Sequence, residues 1–88
     1  MNLFRKQPRD VLDYDILFTE WLSPNDEIEA VDVIVPDGLD LISKGYTPDR
    51  VKLWLGGGTD GEQYKVSVIV HTESRVKEVD VTILVLDL

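Results

Sequence analysis

An all-β fold, two facing antiparallel sheets of about seven short strands, is predicted by three observations. Apolar residues recur at every second position in several segments, as at Val51, Leu53, Leu55 and at Val66, Val68, Val70. Glycine, proline and Asp/Asn clusters punctuate those segments every 8–12 residues or so, the spacing of a sandwich. No segment of ordinary helix length carries a helical period.

The elements follow in chain order. Residues 1–10 are polar, interrupted by Pro8, and are expected to form a flexible N-terminal arm; residues 11–88 are expected to form one domain. Leu12, Tyr14, Ile16 and Phe18 share one parity, with Asp13 and Asp15 on the other, which predicts a half-buried strand. Ser23-Pro24-Asn25-Asp26 is a turn cluster. Ile28 to Val35 is the second strand, and Pro36-Asp37-Gly38 turns the chain. Leu39 to Ile42 is a short third strand. Lys44 to Asp49, with Gly45 and Pro48 as breakers, reads as a loop. Val51 to Leu55 is the fourth strand, with Trp54 facing away from its apolar side.

Gly56-Gly57-Gly58-Thr59-Asp60-Gly61 is a corner whose glycines supply positive φ. Tyr64, Val66, Val68 and Val70 then form one face of a long strand. Thr72 to Arg75 is a hairpin turn. Val79, Val81, Ile83 and Val85 point inward on the last strand, and the parity of Val76 predicts a bulge near Lys77-Glu78. Tyr64 opens its strand just after an Asp-Gly turn. That position matches the tyrosine corner of immunoglobulin-like domains, so an immunoglobulin-like β-sandwich is preferred over a small closed barrel. The plainer account of Tyr64 is a half-buried core residue.

The 88 residues suffice for one thin core, burying roughly 60–65% of the unfolded surface. Without cysteine, neither a disulfide nor a thiolate metal site is available. A net charge of −8 repels nucleic acid and anionic lipid and favours solubility or a basic partner. The N-terminus lacks a signal peptide's apolar core, and no segment approaches the roughly 20 apolar residues of a membrane span. Synthesis in the cytoplasm is therefore expected.

Catalytic patterns are weak. His71, the single histidine, shares a strand face with Ser67, but four residues of strand separate them by roughly 13 Å, too far for a triad. The loop carboxylates do not follow the spacing of a calcium loop, and Gly56-Gly57-Gly58 lacks the lysine of a phosphate cradle. No catalytic residue, metal or cofactor is assigned. Trp21 and Trp54 are the candidate interface anchors, or, as the alternative function, sugar platforms of a carbohydrate-binding or adhesive module. Leu84 and Leu86 make the last strand apolar on both faces, to be covered by the N-terminal segment or by another subunit. Arg5 and Lys6 would let the arm dock on a neighbour.

The motifs Val11-Leu12-Asp13-Tyr14-Asp15-Ile16, Glu20-Trp21-Leu22, Val35-Pro36-Asp37-Gly38-Leu39, Trp54 to Gly61 and Tyr64-Lys65-Val66 come in a telling order. In that order the chain resembles small proteins encoded among the tail and neck genes of tailed phages and prophages, including phage fibre–tail adaptor-like proteins. The resemblance spans most of residues 6–86. Phe18 and Ser74 stand where that family often has tryptophan and glycine. The resemblance implies an immunoglobulin-like, non-enzymatic virion component. Its implied partners are other tail, neck or fibre proteins, or further copies of itself in a symmetric assembly.

Overall fold

The computed structural model describes residues 2–87. Met1 and Leu88, which the expected arm and domain include, lie outside the described residues. Seven strands form: β1 (Asn2–Lys6), β2 (Leu12–Leu17), β3 (Ala30–Ile34), β4 (Leu39–Thr47), β5 (Arg50–Gly57), β6 (Gln63–His71) and β7 (Val76–Val85). They build two sheets, one in the order β1-β7-β6-β3 and the other in the order β2-β5-β4. All neighbours pair antiparallel except β1 and β7, which run parallel. The protein is therefore an all-β sandwich, elongated at 42 × 21 × 17 Å.

The core lies where the alternation places it. Val51, Leu53 and Leu55 of β5 face Val66, Val68 and Val70 of β6 and Val81, Ile83 and Val85 of β7, all buried. Tyr14, Ile16 and Phe18 close the core from the β2 side. Each fully buried Val, Leu or Ile contributes about 1.5–3 kcal/mol by leaving water, so these strands carry the fold.

At one end the glycine corner meets Tyr64, as its sequence position predicts. The Tyr64 hydroxyl accepts a hydrogen bond from the Thr59 N–H at 2.9 Å. Gly58 has φ of +96°, and a Cβ there would lie 2.7 Å from Val85 Cγ2. Only glycine meets both demands, positive φ and contact with the core wall. At the opposite end the Thr72–Arg75 turn closes through the Thr72 N–H, which donates to the Arg75 carbonyl at 2.8 Å.

Three expectations are corrected. Residues 2–6 of the expected arm are the strand β1, because β7 offers it a free ladder partner from Val81 to Val85. The expected loop after Ile42 is instead strand through Thr47, since Gly45 sits on an edge strand opposite Lys52 and costs the sheet no interior packing. The bulge lies between Leu41 and Ser43, not at Lys77-Glu78; the β6–β7 register is continuous, and Val76 is simply exposed opposite His71.

Candidate functional site

The outer face of the β2-β5-β4 sheet carries the most coherent apolar surface around a sequence-predicted residue. Trp54 points outward from β5, 39% exposed, between Asp13 of β2 and Ser43 of β4. One step along the same face, Gly56 is buried because Val11 and Ile42 close over it. A Cβ at Gly56 would meet Val11 Cγ2 at 3.2 Å and Ile42 Cδ1 at 3.6 Å. Val11 and Ile42 are themselves exposed. Alternation drew attention to Trp54; the bulge in β4 sets Ser43, not Ile42, opposite it, and Ile42 lies over Gly56 instead.

The other anticipated contact residues are dispersed. Trp21 is half-buried against the core. Its ring meets Phe18 edge-on at 6.3 Å and lies under the Arg75 guanidinium at 4.2 Å. Arg75 also donates to the Trp21 carbonyl at 3.0 Å and to Asp26 at 3.3 Å. That bracket makes Trp21 a plug for its end of the sandwich, not a free platform. Leu84 is half-buried between Arg5 of β1 and Gln63 of β6, and Arg5 is exposed. Leu86 is half-buried just past β7, its N–H donating to the Lys6 carbonyl at 3.0 Å. The N-terminal strand thus flanks both leucines.

Lys6, expected on an exposed arm, is instead buried. Its side chain has inward parity, and its ammonium donates to the carbonyls of Gly57, of Gln7 at 2.6 Å and of Pro8 at 3.4 Å. Three donors meet three acceptors, which offsets the cost of taking the charge out of water. Burial lowers its pKa, with the charges of Asp10 and Asp40 opposing the shift. The amine ties β1 to the glycine corner.

The sandwich has two lateral seams, and the sequence pointed to neither. On one, β4 reaches across to β3: the Tyr46 hydroxyl donates to the Glu29 carbonyl at 2.6 Å, and Lys44 Nζ to the Val31 carbonyl at 3.2 Å. On the other, the Tyr14 hydroxyl of β2 donates to the Arg5 carbonyl at 3.1 Å. Burial, reinforced by Asp10 and Asp13, raises the Tyr14 pKa.

The polar groups of the four-stranded sheet are paired locally. His71 Nε2 lies 2.9 Å from Asp32 Oδ2, and Ser67 Oγ donates to Asp80 at 2.8 Å. These are two separate pairs, on β3–β6 and on β6–β7. Among the described residues no group of three or more His, Cys, Asp or Glu side chains is placed to hold a metal ion. A surface depression lined by Gln7, Pro8, Arg9, Asp10 and Asp87 is shaped by the turn after β1.

Comparison with curated proteins and with solved structures returned no match. One family model matches residues 6–84, from the buried lysine of β1 to the penultimate residue of β7, and its description is "Podophage GP4 fiber-tail adaptor protein gp77". The match spans every strand but most of β1, and on it this chain belongs to the gp77 family of podophage fibre–tail adaptor proteins.

Proposed function

We propose that this chain is a non-enzymatic structural component of a phage or prophage virion, made in the host cytoplasm and joining other tail, neck or fibre proteins by surface contact. The family match over residues 6–84 carries this reading. The shape agrees with it. Exposed apolar residues lie on opposite faces: Val11, Ile42 and Trp54 on the three-stranded sheet, Leu3, Ile34 and Val76 on the four-stranded one. A connector needs two such surfaces, and a sandwich presents them back to back. The sheet orders β2-β5-β4 and β3-β6-β7 follow the B-E-D and C-F-G orders of immunoglobulin domains, which supports the immunoglobulin-like assignment.

The test is a phage in which this reading frame is interrupted. Electron micrographs are expected to show particles lacking fibres or neck structure, restored by the wild-type chain. Fully fibred, infectious particles without the chain would overturn the reading. Within it, Trp54→Ala leaves the monomer folded, because the indole sits outside the core, and lowers incorporation into particles. Glycan-array binding abolished by Trp54→Ala would instead make the chain a carbohydrate-binding module.

A further inference from the structure

We infer that β2 takes up an extended, basic segment of a partner protein, which adds as a strand beside Asp13, Asp15 and Leu17. This rests on the adaptor reading and names the kind of partner. Four strands stand at sheet edges: β1, β3, β2 and β4. Each edge presents backbone groups that could template another chain. Three of them are obstructed. The Val31 carbonyl of β3 is occupied by Lys44, and the Glu29 carbonyl just before the strand by Tyr46. The bulge between Leu41 and Ser43 breaks the run of β4. On β1 the Arg5 carbonyl is taken by Tyr14.

The β2 edge differs. The Phe18 N–H donates to the Asp49 carbonyl at 2.9 Å, continuing the β2–β5 register in which Ile16 faces Val51. In an antiparallel ladder, hydrogen-bonded positions alternate. Leu12, Tyr14 and Ile16 therefore direct their backbone groups at β5. Asp13, Asp15 and Leu17 direct theirs away from it. Among the described residues no side chain caps those three.

The side chains at the same positions select the occupant. Asp13 and Asp15 stand on one face at the open edge, sharing Lys52 at 3.1 and 3.9 Å. Two carboxylates to one ammonium leave negative charge beside the vacant ladder. A second copy of β2 would bring its own aspartates against them, and like charges directly opposite are destabilising. A strand with lysine or arginine at alternate positions would complement them. Its intervening apolar residues would lie over the seam between β1 and β2, where Phe4 and Leu12 are incompletely buried. Strand addition of this kind draws affinity from the main chain and specificity from alternate side chains.

The test uses the full chain and a labelled nine-residue peptide alternating lysine and valine, with a glutamate–valine peptide as control. Before peptide is added, the amides of Asp13, Asp15 and Leu17 are expected to exchange with solvent fast, and those of Tyr14 and Ile16 slowly. The lysine peptide slows the fast set and binds about tenfold or more tighter than the control. Asp15→Pro removes one outward N–H, which an edge position tolerates, and is expected to weaken binding by about tenfold while the chain stays folded. Asp13→Asn with Asp15→Asn weakens it several-fold and flattens its salt dependence. Slow exchange at Asp13 and Asp15 in the free chain, no binding by the lysine peptide, or undiminished binding by folded Asp15→Pro would each overturn the inference. So would protection of these amides by self-association alone. In the phage, fibred particles with Asp15→Pro alongside defective particles without the chain would remove the edge and leave the adaptor reading intact. Intact particles without the chain would remove the adaptor reading whatever the peptide does.

Discussion

The two lateral seams of this sandwich are finished differently. On the β3–β4 side, two long side chains cross from one sheet to the other and end on backbone carbonyls. On the β1–β2 side, among the described residues, Tyr14 crosses and caps β1 rather than β2, while Lys6 reaches past β2 to the Gly57 carbonyl of β5. Both seams bound the same core, so the difference is not one of burial. It lies in which backbone groups remain available to another chain. A domain that worked alone would gain from closing all of its edges. One edge left open and acidic fits a domain that is completed by a neighbour.

The comparison can be broken most severely at the β2–β5 ladder. Ile16→Pro removes a hydrogen bond to β5 and a fully packed side chain, and is expected to cost about 3 kcal/mol or more, read as a lost or sharply lowered urea midpoint. Asp15→Pro, one residue away, is expected to cost less than about 1 kcal/mol, because its N–H faces solvent. Equal costs would show that β2 has no open side.

A smaller effect is expected at Lys6. Lys6→Met leaves the carbonyls of Gly57, Gln7 and Pro8 without their shared donor and is expected to cost about 1–3 kcal/mol in urea denaturation. The loss should fall on β1, whose amides would exchange faster while those of β3 stay protected.

Tyr14→Phe sharpens the comparison at the half-closed seam. Loss of its bond to the Arg5 carbonyl is expected to cost about 1 kcal/mol at neutral pH. The phenol's pKa is raised in the folded chain from its ordinary value of 10.0. Above that value the unfolded chain releases the proton while the folded chain keeps it. The tyrosine's contribution is therefore full below pH 10 and is lost as pH rises through the folded pKa. Wild type should lose stability over that alkaline range faster than Tyr14→Phe, in denaturation midpoints compared at each pH.

The smallest change in stability is expected at the closed seam. Tyr46→Phe removes one exposed hydrogen bond and is expected to cost about 0.5–1 kcal/mol. Combined with Lys44→Ala it bares the β3 carbonyls. That double variant should self-associate in light scattering at concentrations where wild type does not, if those side chains guard the edge.

Much of this arrangement was legible in the chain. Val51 to Leu55 and Tyr64 to Val70 alternate, with only Trp54 and Ile69 apolar on the outward side, and both lie in central strands whose two neighbours enforce the period. The Tyr64 corner was legible because positive φ and a close wall at Gly58 leave few residue choices. The family resemblance, read from scattered motifs, agrees with the model matched over residues 6–84. The edges were not legible. Gly45 and Pro48 suggested a loop, yet an edge strand tolerates both residues nearby. Lys6 looked like surface charge, yet its burial depends on carbonyls from Gly57, fifty-one residues away. Asp13 and Asp15 looked like an ordinary solvated face until the ladder showed where their backbone groups point.

By itself, then, the sequence determined the layers, because period-two hydrophobicity dictates which side of a strand leaves water whatever lies beside it. The tertiary structure alone decided the seams. Whether a strand end is capped, buried or free depends on side chains distant in the chain, and local pattern carries no record of their approach.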